Sequence, residues 1–173
     1  MRQVKINSTT GTEIVTTADV KLYSRIDTTA DDTLIARMIT QARIWCENYI
    51  SRDIVAKNRT YYMDSTNGIF DIPFAPVSSI SSVTIDGTAS TDYTMLGLDN
   101  ETMELDGGAS ENVKVTYVTT GLDDSLLIQA ILQLTATYYD NRSDVFEGSS
   151  KFGQVEIPTS VKNILSSYRS MFI

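Results

Sequence analysis

Two acidic pairs are the residues whose type and spacing come closest to a chemical site. Asp31 and Asp32 are adjacent carboxylates, as are Asp123 and Asp124, and such a pair can hold a divalent cation or divide acid and base roles between its members. Each pair comes directly before a stretch with helical periodicity, where carboxylates are stabilised by the positive end of the helix dipole. We therefore interpret both pairs as helix-capping residues rather than as a reactive site.

The composition argues against most enzyme classes. The sequence contains no histidine, the commonest general base and metal ligand. It has no Gly-rich phosphate loop, no paired-cysteine motif and no EF-hand spacing, and the single Cys46 is typical of a reducing compartment. An acid-dependent hydrolase would need two carboxylates about 5–10 Å apart in a cleft, and it is the weakest alternative. We expect no enzyme activity, no cofactor and no metal.

The charge is unevenly distributed along the chain. The net charge is −8, and the segment from Thr60 to Val113 carries nine acidic residues and no Lys or Arg. Such a surface repels phosphates, so direct DNA binding is disfavoured. The segment either keeps a β-rich region in solution or meets a basic partner. No apolar run approaches the roughly 20 residues of a membrane span, and the start lacks the apolar core of a secretory signal.

The element that must organise the rest is an amphipathic helix predicted from Thr33 to Ile50. Its length of about 27 Å is enough to cross a small domain. Polar residues, including Arg37, Arg43 and Glu47, occupy the side opposite the core. Ile44 projects from that polar side, where an apolar side chain would not be buried in a monomer. The residues of the predicted core face are Leu34, Ile35, Met38, Ile39, Ala42, Trp45, Cys46, Tyr49 and Ile50.

The remaining patterns predict an α+β fold. A second long helix, Ser125 to Arg142, is apolar on nearly all sides, which indicates enclosure by its own domain or by a neighbouring subunit. The segment from about Asp53 to Thr120 favours short antiparallel strands in a meander. The other predicted elements are strands at Val4–Ile6 and Glu13–Val15, a helix over residues 18–26 with Val20, Tyr23 and Ile26 as core contacts, a Gly/Ser-rich loop at Ser143–Gly153, and a last helix opening at Pro158.

The order and the sequences of these elements resemble those of phage head–tail connector (adaptor) proteins over nearly the whole chain. In the long helix the resemblance is carried by Trp45, Glu47 and Tyr49, and at the end of the second by Tyr139, Asn141 and Arg142. The segments that carry it are TTADVKLYSRID, DDTLIARMITQARIWCENYISRDI, IPFAPVSSISSVTIDG, NVKVTYVTTG, ATYYDNR and IPTSVKNILSSYR.

The resemblance implies a small helical bundle of about four helices with an inserted antiparallel β module. We expect residues 1–53 and 119–173 to form the helical connector domain and residues 54–118 to form the module. It also implies a structural virion protein at the head–tail interface, present in the host cytoplasm during assembly. Such a protein forms a ring of about twelve copies beneath the portal. The ring extends the DNA channel without binding DNA specifically.

The expected partners are other copies of the chain, the portal protein and a tail or stopper protein, with no membrane. The alternative is a non-catalytic module whose β insertion recognises a protein or carbohydrate ligand, for which Tyr61, Tyr62, Phe70, Tyr93 and Tyr117 supply aromatic side chains. The residues that we expect at a subunit or portal interface are Ile44, Arg37, Asn141, Arg142, Phe146, Lys151 and Phe152.

Overall fold

The computed structural model describes residues 1–141 and 157–169. Within this part the chain has four helices and two antiparallel sheets, so the predicted α+β fold is confirmed. The described residues group into two compact units. The β unit consists of residues 1–12 and 51–122, and the helical unit of residues 13–50 and 123–169. The division into a connector domain and an inserted module stays a prediction about which parts fold on their own.

Four helices build the helical unit, namely α1 (Thr17–Ser24), α2 (Asp32–Ile50), α3 (Ser125–Asp140) and α4 (Thr159–Ser166). Helix α1 begins with a capping box in which Thr16 and Asp19 satisfy each other's backbone N–H groups. The side chain of Asp124 caps α3 by accepting from the backbone N–H of Leu126 at 2.8 Å. Fully buried apolar residues from all four helices form the core, among them Val20, Ile35, Ile39, Leu127, Ile131, Leu134, Val161 and Leu165.

Eight strands build the β unit, and they form two sheets rather than one meander. The five-stranded sheet has the order β1-β2-β8-β4-β5, and the three-stranded sheet the order β3-β7-β6. The strands are β1 (Arg2–Thr9), β2 (Lys57–Thr66), β3 (Ile69–Asp71), β4 (Val77–Ile85), β5 (Thr88–Ser90), β6 (Tyr93–Leu96), β7 (Thr102–Leu105) and β8 (Ser110–Thr119).

One core of buried side chains lies between these sheets, because strands of both contribute alternate residues to it. Strand β8 shows the predicted alternation, with Val113, Val115 and Tyr117 buried and Lys114 exposed. Asp86 and Gly87 both have positive φ, as the tight turn of the β4–β5 hairpin requires.

Two strand predictions near the start of the chain need correction. The first predicted strand is longer than expected, since Arg2–Thr9 pairs with β2 along its whole length. Glu13–Val15 is not a strand. This segment belongs to the helical unit, in which the Glu13 carboxylate accepts hydrogen bonds from Arg43 and the Val15 side chain is buried.

Candidate assembly interface

Helix α2 exposes a stripe of side chains that recur mainly at spacings of three and four residues. Ile44 lies within this stripe with 44 % of its surface exposed, and Arg37 precedes it by seven residues, two turns or about 10 Å along the same face. We call this set the α2 stripe, and its members are Thr33, Ala36, Arg37, Gln41, Ile44 and Asn48. The structure therefore brings together two of the predicted interface residues on one exposed surface.

The orientation of the α2 stripe is fixed by a buried arginine on another side of the helix. Arg43 is only 5 % exposed. Its Nε and Nη2 donate to the two oxygens of Glu13 at 2.8 and 3.0 Å, and its Nη1 donates to Glu47 at 2.7 Å. Burial opposes the charge on the guanidinium, but the two carboxylates outweigh it and raise the pKa of Arg43.

This arginine corrects the predicted core face of α2. Arg43 and Glu47 are buried, although their types placed them on the polar side, while Trp45 and Tyr49 are only half-buried. Trp45 stacks on Tyr49, with ring centroids 5.2 Å apart. Burial of the charged side chains is possible because Glu13, from outside the helix, completes a paired network. Helical periodicity alone contains no information about such a distant partner.

The remaining predicted interface residues lie at or beyond the end of α3. Asn141 ends this helix, and its amide Nδ2 donates to the carbonyl of Thr137 at 2.9 Å. Its side chain is therefore engaged within its own helix, although it stays half-exposed. The other four, Arg142, Phe146, Lys151 and Phe152, lie outside the described residues.

Helix α3 is less enclosed than its composition indicates. Leu127, Ile131 and Leu134 are fully buried, but Leu126 at the start of the helix is 49 % exposed. Ile128 and Leu132 are only partly buried. Among the described residues, apolar side chains of α3 thus remain partly exposed, and Leu126 is the most exposed of them.

Tyrosine hydroxyls tie carboxylates near the helix starts to other parts of the helical unit. Tyr168 donates to Asp124 and Tyr139 donates to Asp31, each at 2.7 Å. The bond from Tyr168, together with that from the backbone N–H of Leu126, lowers the pKa of the Asp124 carboxyl. These bonds occupy one carboxylate of each acidic pair. The predicted capping role is confirmed for Asp124, which accepts from the backbone N–H of Leu126. No group of three or more metal-ligating side chains occurs among residues 1–141 and 157–169.

Helix α1 carries an exposed apolar surface that sequence reasoning missed. Leu22 is 83 % exposed, and Tyr23, predicted as a core contact, is 44 % exposed. Leu22 lines an open groove of about 740 Å³, whose walls also include Lys21 and Asp32, joined by a 2.9 Å ion pair. Helix α1 has only two turns, so its periodicity contains too few positions to separate a buried face from an exposed one.

The β unit offers no aromatic platform of the kind that a carbohydrate-binding module needs. Of the five candidate aromatic residues, Tyr61, Phe70 and Tyr117 are buried, and Tyr62 and Tyr93 are partly buried. No helix in the described part of the chain is both long and apolar enough to cross a membrane.

The family model described as head completion protein matches residues 13–171. The chain belongs to this family. Membership in the head completion family confirms the resemblance to phage head–tail connectors and the structural role in joining head and tail that the resemblance implies. It does not favour the alternative of a ligand-recognition module.

Solved structures share the fold of this head completion protein family member. The chain is similar to one in the neck of an empty gene transfer agent (GTA) particle computed with C6 symmetry, with a TM-score of 0.76, 16 % identity, and coverage of 99 % of this chain and 97 % of that one. A chain of the native gene transfer agent virion gives a TM-score of 0.69 at 16 % identity, covering 99 % and 97 %. A chain of the native GTA neck computed with C12 symmetry gives 0.63 at 15 %, covering 96 % and 97 %. No curated protein matches the sequence.

Proposed function

We propose that copies of this chain assemble into a ring in the neck of a phage or phage-like virion. The observation that carries the proposal is the family match over residues 13–171, supported by the similarity to chains of particle necks. The ring lies beneath the portal protein, extends its DNA channel and offers a platform to a tail or stopper protein. Before assembly the chain is in the host cytoplasm, and it performs no catalysis.

The α2 stripe and the exposed side of α3 are the surfaces that we assign to contacts between copies. A ring closes through heterologous contacts, in which each copy uses two different faces. Ile44 and Leu126 supply one exposed apolar side chain on each helix. Covering the exposed half of such a side chain contributes about 1 kcal/mol per contact, and repetition around the ring multiplies this contribution. Arg37 adds a charged group at the edge of the same contact.

The acidic β unit fits a channel component that DNA passes without adhering. Nine acidic residues and no basic ones lie between Thr60 and Val113, and most of these carboxylates are solvent-exposed. Phosphates are repelled by such a surface, so no specific DNA contact is expected.

The experiment is native mass spectrometry and cryo-EM of the purified chain, alone and mixed with its portal protein. We expect the wild type to form rings when it is mixed with its portal protein, whether or not it forms them alone. Ile44→Glu should leave the chain folded, judged by far-UV circular dichroism, but reduce the ring population. Asn163→Glu is the matched control because it adds the same charge at an exposed position of α4.

The two parts of the proposal fail separately. A wild type that stays monomeric at high concentration and does not bind the portal contradicts the ring. Rings formed by Ile44→Glu as readily as by the wild type contradict only the role of the α2 stripe.

A further inference from the structure

Each sheet of the β unit has two terminal strands, which pair with a neighbour on one side only and lie on two opposite sides of the unit. Strands β1 and β5 are the two terminal strands of the five-stranded sheet, and β3 and β6 are those of the three-stranded sheet. Strands β1 and β3 border the same groove, and β5 and β6 are joined by only two residues. The β unit therefore has a β1/β3 edge and a β5/β6 edge.

The β1/β3 edge is unusually open for a terminal strand. All eight residues of β1 are exposed, and within residues 1–141 and 157–169 no strand pairs with its outer row of backbone N–H and C=O groups. Proteins usually shorten, bend or cover such an edge, because it can pair with another chain. Against such pairing β1 carries two basic side chains, Arg2 and Lys5, and an irregularity between Ile6 and Ser8.

The same edge also exposes apolar surface. Val4, Ile6 and Ile69 are 38 %, 50 % and 51 % exposed. Val4 and Ile69 line a groove of about 550 Å³ together with Tyr61, Phe70 and Pro73. A partner that pairs with β1 would therefore gain apolar contacts as well as backbone hydrogen bonds, the two contributions that make strand addition specific.

The two edges differ in charge. Strands β1 and β3 carry Arg2, Lys5 and one carboxylate, Asp71, which accepts a hydrogen bond from Thr102 at 2.7 Å. The β5/β6 edge has three exposed carboxylates and no basic residue. Asp86 lies in the β4–β5 turn and Asp92 between β5 and β6, while the backbone N–H of Asp106 donates to the carbonyl of Asp92 at 3.2 Å. A net positive edge thus stands opposite a strongly negative one on the same unit.

We propose that the β1/β3 edge of one copy docks against the β5/β6 edge of the next copy, so that the sheets continue from subunit to subunit around the ring. This inference rests on the proposed ring. The second copy is the occupant because both edges belong to the same unit, carry opposite charges and end in terminal strands. A contact between two different faces is also the kind that a closed ring requires.

Strand β1 lies outside the part of the chain that the family model matches, because the match begins at residue 13 and β1 ends at Thr9. In the proposed contact, β1 would therefore supply an interaction between copies that residues 13–171 do not form alone.

Zero-length carbodiimide cross-linking of assembled rings tests the inference, because it joins an amine to a carboxylate only where the two are in contact. We expect amide links from Lys5 to Asp86, Asp92 or Asp106. Rings mixed from normal and ¹⁵N-labelled chains will identify these links as intermolecular by mass spectrometry. Lys5→Arg keeps the charge but removes the amine that reacts, so it should assemble like the wild type and lose the links.

Charge reversal provides the second readout. Lys5→Glu and Asp92→Lys should each lower the assembled fraction several-fold, and mixing the two variants should restore it, because each variant then meets an opposite charge on its neighbour. Lys114→Glu is the matched control, since Lys114 is also exposed but lies on β8 inside the sheet.

The outcomes separate this inference from the ring itself. Rings that form without any link from Lys5 to those carboxylates, or that tolerate Lys5→Glu, overturn the edge contact and leave the ring in place. Links from Lys5 to the portal or to a tail protein overturn it in favour of a different occupant. A chain that never forms rings, even with its portal, removes the proposed function and this inference together.

Discussion

Replacing Asp53 by Asn should destabilise the β unit strongly. Asp53 is fully buried just before β2. Its Oδ1 accepts from Lys57 Nζ at 2.8 Å and from Arg59 Nη2 at 2.6 Å, and its Oδ2 accepts from Arg59 Nε at 2.8 Å and from Thr119 Oγ1 at 2.9 Å. Arg59 also lies over the ring of Phe74, 3.7 Å from its centre.

The expected loss is about 3–5 kcal/mol, the cost of removing one partner from a buried ion pair. An asparagine has nearly the same shape, but its amide nitrogen turns a donor toward a site that already contains only donors. Two cations would then remain buried without their shared carboxylate. Thr119→Val is the graded control, since it removes one neutral donor to the same carboxylate and the acceptor of the Lys57 backbone N–H. It should cost about 1–3 kcal/mol.

The pH dependence gives a second signature of the same cluster. Burial opposes ionisation of Asp53, but the hydrogen bonds and charges of Arg59 and Lys57 outweigh it and lower the pKa of the folded carboxyl. A lowered folded pKa means that the stabilisation is complete above the unfolded value of about 3.9 and is lost as the pH falls through the folded value. The difference between wild type and Asp53→Asn should therefore be constant near neutral pH and shrink below about pH 4.

Hydrogen exchange followed by mass spectrometry is the suitable assay, because peptides from β2 and β8 report the β unit directly. Trp45 fluorescence reports the helical unit, in which the only tryptophan lies. A loss below about 1 kcal/mol in the β2 and β8 peptides would show that Lys57 and Arg59 find other compensation. An undiminished difference at pH 3 would refute the assignment to the ionised carboxylate.

Two further predictions concern helix α2. Trp45→Ala should lower the free energy of unfolding in urea by about 1–2.5 kcal/mol, less than the roughly 3–5 kcal/mol lost when a buried tryptophan is removed. The loss is smaller because Trp45 is half-buried and its main ring contact is Tyr49. A loss above about 4 kcal/mol, or one no larger than that of Gln41→Ala, would contradict this burial. Cys46 is fully buried, and that burial, together with the negative charge of Glu47, raises the pKa of its thiol to about 12. Cys46 should therefore react with a thiol reagent at pH 8 only after unfolding. Rapid labelling of the native chain would contradict the structure.

The parts of the fold that the sequence predicted correctly are those set by local periodicity. Helix α2 was expected at Thr33–Ile50 and runs from Asp32 to Ile50, and the alternation of β8 matches its burial. Both patterns repeat over enough residues to define a face. The division of the strands into two sheets was missed, because pairing of β3 with β7 joins residues about thirty positions apart and leaves no local signal.

For the candidate interface, too, the prediction succeeded where local periodicity is long and failed where it is short or indistinct. Ile44 was recognised because it breaks the pattern of a long helix, and it is indeed exposed. Leu126 and Leu22 were missed because the first lies in a helix that is apolar nearly all round and the second in a helix of only eight residues. An irregular residue is informative only where the surrounding pattern is long and strict enough to make it irregular.

Buried ion pairs occur in both units, and the one in the helical unit explains why Arg43 and Glu47 were placed on the wrong side of α2. Arg43 with Glu13 and Glu47, and Asp53 with Lys57 and Arg59, place charged side chains inside a protein whose composition predicts them outside. Each network costs desolvation, so neither is an efficient source of stability. Each instead fixes a segment at one geometry, since a guanidinium fork accepts a carboxylate only in a narrow range of orientations. Copies that must meet neighbours on two faces gain from such rigidity, because an interface that is already ordered loses less entropy on assembly. We therefore expect the α2 stripe and strand β1 to keep their conformations when copies associate, so that assembly adds contacts without refolding either unit.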